Sequence, residues 1–236
     1  MVVLFLLFFL VALLYSSVGF GGGSSYTAIL AWRGEGAETI RLLSLLCNLV
    51  VVSIGGLASL KFKQVRLSLL GPLLVASIPA VWLGARWQIS ELLFLQILGM
   101  ALLVAGSLLL VKVRGRKERD LSWIWLLVLG LVLGGLAGVT GIGGGIYLVP
   151  VLHLLGIGKS KEIAAVGTWF ILVNSLVGLT VLAPEAEWEK VGVLPLVVAG
   201  GGVIGARILQ GVFDEKLVRR WTGVLILVVA VRLLVF

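Results

Sequence analysis

The sequence predicts an all-α polytopic membrane protein built as two repeats of four hydrophobic segments. Of its 236 residues, 60% are hydrophobic and 13% are charged, and the mean hydropathy is +1.19. No soluble domain of this length needs so much apolar surface. Most of the apolar segments approach the roughly 20 residues with which a helix crosses a bilayer. Eight segments follow one another, at residues 2–32, 39–60, 65–85, 92–111, 121–155, 163–183, 191–206 and 217–236.

The first and fifth segments are too long for one simple helix, and glycine clusters interrupt both of them. A glycine in a helix interior costs roughly 1 kcal/mol relative to alanine. Irregular backbone at membrane depth is tolerated only where it is buried in protein or lines a cavity. We therefore expect each of these segments to be a helix, a broken or re-entrant Gly-rich turn, and a short second helix.

The two halves of the chain repeat each other. The glycine cluster at residues 19–23 matches the cluster at residues 141–145, and Asn48 matches Asn174. The Gly-Ala-Arg ends at residues 84–86 and 205–207 also match, and the shift stays near 121 to 126 residues throughout. A duplicated unit is the simplest explanation. It predicts a first transmembrane repeat at residues 1–111, a basic cytoplasmic linker loop at 112–120 and a second repeat at 121–236.

The distribution of basic residues indicates the membrane topology rather than binding to nucleic acid. The net charge is +8, but the lysines and arginines lie in short loops between apolar segments. If all eight segments cross the membrane, these cations divide nine to ten between the two sides. If the first and fifth segments enter and leave by the same face, they divide fourteen to five. Three crossings per half then make the repeats inverted, which is a common transporter plan, and place both termini outside.

The interrupted segments predict an anion site. A break exposes backbone N–H groups at the start of a short helix, where the helix dipole is positive, so an anion can bind without a cationic side chain. Close helix packing is the alternative role for glycine in membranes, and the duplication of the whole cluster favours a site. The candidate substrate-binding residues are Gly19, Gly21, Gly22, Gly23, Ser24, Ser25, Asn48, Gly141, Gly143, Gly144, Gly145, Tyr147, Thr168 and Asn174.

Four further polar residues lie in matched pairs. Asn48 and Asn174 fall in mid-segment, where an amide without a partner is costly. Bonding between helices and contact with a ligand are both open for them. Arg86 and Arg207 end matched segments. Snorkelling to the membrane interface is the favoured interpretation for these arginines, and attraction of anions toward the pathway is the second.

Several residue types needed for other chemistries are missing from the segment interiors. No Asp or Glu lies in mid-segment, and the chain has one histidine, His153, and one cysteine, Cys47. We therefore expect no proton relay, no metal site and no cofactor. The nucleotide-binding and hydrolase motifs that would indicate an enzyme are absent as well.

At these residues the sequence resembles the TauE/SafE family of membrane transporters, which are often described as sulfite exporters. The residues that carry the resemblance are 19–25, 140–145 with Pro150, Asn174 in Asn-Ser-Leu-Val-Gly, and the two Gly-Ala-Arg ends. The resemblance spans essentially the full chain. It implies a multi-pass protein of the inner membrane that moves sulfur oxyanions or organosulfonates, usually outward. The first half lacks a clear match for Pro150, so we expect the two hairpins to contribute unequally.

The sequence thus predicts a secondary transporter or facilitator that exports sulfite or a small organosulfonate, such as sulfoacetate or taurine. The two breaks would meet near the bilayer midplane, and one half would rock against the other. An anion channel, an importer of a sulfur compound and a non-transporting membrane scaffold remain open. The expected partners are the small anion and the lipid bilayer, and a homo-oligomer is left open.

Overall fold

The computed structural model describes residues 2–17, 21–61, 65–87, 89–111, 121–185, 188–207 and 215–235, and helices dominate them. Short 3-10 turns at Ala183–Glu185 and Trp188–Lys190 link two of the helices. The helices are α1 (Val2–Ser17), α2 (Gly23–Trp32), α3 (Ala37–Lys61), α4 (Leu67–Arg86), α5 (Glu91–Leu110), α6 (Trp123–Thr140), α7 (Gly145–Leu155), α8 (Ser160–Leu182), α9 (Leu194–Arg207) and α10 (Glu215–Val235).

The predicted segments and their two interruptions are confirmed. The first segment forms α1 and α2, the fifth forms α6 and α7, and each other segment forms one helix. Among the described residues, five helices are long and apolar enough to cross a membrane, namely α3, α4, α5, α6 and α8. The chain is therefore an all-α, multi-pass membrane protein.

Both interruptions reverse the chain direction. A Cβ added at Gly144 would lie 3.3 Å from the Ala137 Cβ and 3.5 Å from the Leu133 carbonyl oxygen. A continuous helix would carry residue 144 about 16 Å beyond residue 133. In the first half, the rings of Phe8 and Tyr26 stack with their centroids 4.7 Å apart, where a straight helix would separate them by about 27 Å. The α1–α2 and α6–α7 pairs are therefore re-entrant hairpins.

Helices in corresponding places of the two repeats run in opposite directions. Along α3 and α8, Leu45 lies by Gly178 while Gly56 lies by Leu172, so these two helices are antiparallel. Along α5 and α10, Leu234 lies by Gly99 while Leu227 lies by Gly106, which is the same relation. Opposed directions of equivalent helices are what an inverted repeat produces. The residue boundaries of the two repeats stay a prediction.

Each half lends its last two helices to the other half's hairpin. The α4 helix lies along α6 and α8, and α5 contacts α6 and α7. In the same way α9 lies along α1 and α3, and α10 contacts α2. We call α1, α2, α3, α9 and α10 the first bundle, and α4 to α8 the second bundle. The two bundles meet where α3 packs on α8 and where α5 packs on α10.

Glycines set the close packing inside each bundle. Gly130, Gly134 and Gly138 recur every fourth residue on α6 and lie against the backbone of α4. A Cβ at Gly134 would lie 2.7 Å from the Ser77 Cα, whereas one at Gly135 would meet nothing within 4 Å. Small residues at this spacing let membrane helices approach closely, so packing explains Gly130, Gly134 and Gly138. The glycines of the two breaks have different neighbours.

Candidate functional site at the meeting point of the two breaks

One buried amide joins the two Gly-rich breaks. The backbone N–H of Gly23 donates to Asn48 Oδ1 at 3.2 Å. Asn48 Nδ2 donates to the Ile142 carbonyl oxygen at 3.3 Å and to Ser175 Oγ at 3.3 Å. Asn48 is 1% exposed. A single side chain of α3 therefore holds the first break, the second break and α8 together, and it does so across the boundary between the bundles.

The glycines of the breaks are needed because the two breaks approach each other closely. A Cβ at Gly23 would lie 2.8 Å from the Ile142 carbonyl oxygen, and one at Gly143 would lie 2.8 Å from Ser175 Oγ. Gly143 and Gly144 also adopt φ values of 77° and 84°, a conformation that side chains disfavour. At Gly23 and Gly143 these close contacts reach the other bundle or α8, whereas those of Gly130, Gly134 and Gly138 are with the backbone of α4.

In the first bundle several polar groups around the break bond one another, while the buried Tyr26 hydroxyl has no partner. Thr27 Oγ1 donates to the Gly23 carbonyl oxygen at 2.8 Å and to Ser44 Oγ at 2.9 Å. The Ser25 hydroxyl shares a 2.8 Å hydrogen bond with the Tyr15 hydroxyl. Ser24 is buried beside them. These bonds fix the start of α2 against α1 and α3.

The second bundle also leaves buried donors without partners. Asn174 Oδ1 accepts a 2.9 Å hydrogen bond from Ser77 Oγ, but Asn174 Nδ2 has no partner. The buried Tyr147 hydroxyl has no partner with hydrogen-bond geometry either, and the Thr140 hydroxyl near it donates to the Leu136 carbonyl oxygen instead. The backbone N–H groups of Gly145 and Ile146, in the first turn of α7, have no acceptor among the described residues. Unsatisfied buried donors are uncommon, and an oxyanion at the start of α7 would satisfy the two N–H groups there.

Other candidates from the sequence lie apart from this cluster. Thr168 lies about two helical turns from Ser175 on α8. Its hydroxyl donates to the Ala164 carbonyl oxygen, and its methyl lies beside Gly56. Gly19 lies outside the described residues.

The two arginines at the matched helix ends are exposed. The Arg86 guanidinium lies over the Trp82 ring, 3.7 Å from its centroid, and Arg207 ends α9. These positions suit interfacial anchoring, and an anion-attracting role for either arginine stays a prediction.

Sequence reasoning missed three residues of this region, of which Arg41 is the charged one. Counting charges assigned Arg41 to a loop, but it lies buried in the second turn of α3. Its Nη2 donates to the carbonyl oxygens of Ala85 and Gly138, the latter at 3.1 Å. The available signal was spacing, because Arg41, Ser44 and Asn48 share one face of a helix. Ser77 and Ser175 were also missed, since neither stands out from other small residues in apolar segments.

Comparison with known proteins agrees with this architecture. The family model described as "Sulfite exporter TauE/SafE" matches residues 4–233. The chain belongs to the TauE/SafE family. It is also similar to "Probable membrane transporter protein y4hK" of Sinorhizobium fredii (strain NBRC 101917 / NGR234). That relative is 32% identical over 238 residues, which cover 96% of this chain and 95% of the relative. No solved structure matches the chain. Family and relative together identify a membrane transporter.

Proposed function

We propose that this TauE/SafE protein is a secondary transporter that exports sulfite or a small organosulfonate, such as sulfoacetate or taurine. The observation that carries the proposal is the meeting of two re-entrant breaks at Asn48, in the buried interior and on the boundary between two bundles. Transporters place their substrate sites at such junctions of broken helices.

The donors at the second break suit a sulfonate or sulfite head. These heads present several acceptor oxygens and a negative charge. The free N–H groups of Gly145 and Ile146 lie at the positive end of the α7 dipole, where anions are stabilised. Asn174 Nδ2 and the Tyr147 hydroxyl supply further donors from α8 and α7. This proposal draws its donors from the second break, because the Gly23 N–H of the first break is bound to Asn48.

Outward transport of such an anion has a driving force of its own. Moving one negative charge outward across an inside-negative potential is favoured by about 2.3 kcal/mol per 100 mV. Export of an anion therefore needs no coupling ion. The force scales with net charge, so it is about twice as large for sulfoacetate, which carries a sulfonate and a carboxylate, and absent for taurine, which is a zwitterion at neutral pH.

The bundles, rather than the two sequence halves, are the bodies that would move. Opening the boundary between the bundles separates the α3–α8 and α5–α10 pairs, which are glycine-lined. Rocking one half against the other would separate these same pairs and, in addition, α4 from α6 and α1 from α9. The interface between the bundles is held by α3 on α8 and by α5 on α10, with Asn48 bridging it. Alternating access then consists of opening this interface on one side at a time.

The first test is the thermal stability of the detergent-purified protein with sulfite, sulfate, taurine, sulfoacetate, methanesulfonate, chloride and acetate. A ligand at 100 times its dissociation constant stabilises the folded state by about 2.7 kcal/mol. We expect a shift confined to sulfite or sulfonates. A protein that responds to none of these anions would contradict the proposal and favour a scaffold.

The second test is flux into and out of proteoliposomes with matched glycine variants. Gly144→Val forces a side chain onto the Phe170 ring at a positive φ, so we expect loss of transport with membrane insertion intact. Gly135→Val is the control, because its side chain meets open space. Flux that never saturates with substrate would indicate a channel, and flux only inward would indicate an importer. Wild-type flux in Gly144→Val would show that the second break is not part of the substrate site.

A further inference from the structure

Arg41 is the one charged residue among the buried described residues. It is 8% exposed and belongs to the first bundle. Its stem lies against the second break, since a Cβ at Gly141 would be 2.7 Å from the Arg41 Cα. A cation buried within a membrane helix is expensive and marks a functional site by default.

The contacts of Arg41 offset its charge only in part. Nη2 donates to Ala85 and Gly138, in the last turns of α4 and α6, where the helix dipoles are negative. Nε is buried and has no partner. No carboxylate lies within 4 Å of Arg41 among the described residues, and Glu38, one turn earlier, is exposed. Two partial charges from helix ends do not replace a full counter-charge.

The position of Arg41 links it to the same interface as Asn48. The two residues lie on one face of α3, seven positions apart, and both reach atoms of the second bundle. The shift that aligns Asn48 with Asn174 places Gly167 opposite Arg41. Among the described residues, Arg41 therefore has no buried cationic counterpart in the second repeat.

We propose that Arg41 is a substrate-binding residue that selects for the negative charge of the transported anion. This inference rests on the proposed function and adds its charge-selective residue. The guanidinium presents several N–H donors in a planar fork that suits oxyanions. The helix-end carbonyls hold the guanidinium while the site is empty, and a sulfonate oxygen takes the free donors when the interface between the bundles opens.

The experiment measures binding of two probes of nearly equal shape, methanesulfonate and the neutral methanesulfonamide, to the purified full-length protein by titration calorimetry. We expect wild type to bind methanesulfonate and to bind methanesulfonamide at least tenfold more weakly. Arg41→Gln should weaken methanesulfonate binding by at least tenfold, while Arg41→Lys should retain part of it. Arg232→Gln is the matched control, because Arg232 donates to the Trp32 carbonyl oxygen at the end of α2 yet is exposed.

Each other outcome overturns the inference. Unchanged methanesulfonate affinity in Arg41→Gln, with a lowered unfolding temperature, would assign Arg41 to capping of α4 and α6 alone. Equal affinity of wild type for the two probes would keep a sulfur-compound site but remove charge selection. Since that comparison needs only wild type, it decides even if Arg41→Gln fails to fold. Wild type that binds no anion of the panel would overturn the proposed function together with the role of Arg41.

Discussion

Replacing Asn48 by alanine should destabilise the protein more than any other single loss of a side-chain amide or hydroxyl. The Asn48 side chain makes hydrogen bonds to Gly23, Ile142 and Ser175, and all three partners are buried. Alanine removes the three bonds at once and leaves their partners in the protein interior. The perturbation therefore tests whether the two breaks are held together by this amide.

The expected cost is about 2 to 4 kcal/mol in the free energy of unfolding. Side-chain hydrogen bonds between membrane helices average about 0.6 kcal/mol each, so three of them give a lower value of about 2 kcal/mol. A buried donor or acceptor left unpaired costs about 1 to 3 kcal/mol, which raises the value where water does not enter the gap. This penalty falls mainly on the backbone N–H of Gly23, because Asn48 Oδ1 is its acceptor.

Reversible unfolding in mixed detergent, followed by helical circular dichroism, measures this cost. Ser53→Ala is the control on the same helix, since Ser53 bonds only the Leu49 carbonyl oxygen of its own helix. A double-mutant cycle with Ser175→Ala isolates the bond between α3 and α8. We expect a coupling of about 0.6 kcal/mol or more.

A cost for Asn48→Ala no larger than that of Ser53→Ala would refute this reasoning. It would mean that the breaks are positioned by glycine packing alone. If Asn48→Ala costs about 2 to 4 kcal/mol as expected but the coupling energy with Ser175→Ala is zero, the Asn48–Ser175 bond contributes nothing to stability, and the bond to Gly23 remains as an explanation.

Three further predictions follow from the same contacts. Gly134→Ala should destabilise by about 1 to 3 kcal/mol through overpacking against α4, whereas Gly135→Ala should be neutral or stabilising by up to about 1 kcal/mol; detergent unfolding of the pair checks both. Tyr15→Phe should lower the free energy of unfolding by about 0.5 to 1.5 kcal/mol by removing the bond to Ser25. A coupling energy of zero in a double-mutant cycle with Ser25→Ala would contradict this. Asn174→Leu removes the unpaired Nδ2 donor and also the acceptor of the buried Ser77 hydroxyl, so we expect weakened sulfonate binding and a stability loss of about 1 to 3 kcal/mol. Ser77→Ala is the control, because it loses the same bond but keeps Nδ2, and unchanged calorimetric affinity in Asn174→Leu would count against Asn174 as a ligand.

The helices and the two breaks could be predicted because each has a local cause. Runs of apolar residues near 20 in length specify spans, and four glycines within five residues stop a helix in the first segment. Asn48 could be singled out because an amide in mid-segment needs a partner. The sequence could not say which partner, since its bonds to Ile142 and Ser175 join residues 94 and 127 positions away.

The exchange of helices between the halves was not predictable from the repeat. A repeat suggests two self-contained units, and nothing in α4 states that its neighbour is α6. The glycines at 130, 134 and 138 do indicate a close helix contact, but they do not indicate which helix packs against them. Arg41 was missed for a related reason, because the carbonyls that receive it belong to α4 and α6 rather than to its own helix.

The lending of α4 to the second bundle also sets the order of events on the ribosome. Ser77 of α4 waits for Asn174 of α8, which follows 97 residues later. At roughly 5 to 20 residues per second, the wait is about 5 to 20 s after insertion of α4. During this interval the Ser77 hydroxyl of the nascent first half lies in the membrane without its hydrogen-bond acceptor Asn174. The protein can therefore finish folding only when translation is nearly complete. In a chain that ends after α5, the surface of α4 that packs on α6 and α8 stays uncovered and accessible to membrane proteases.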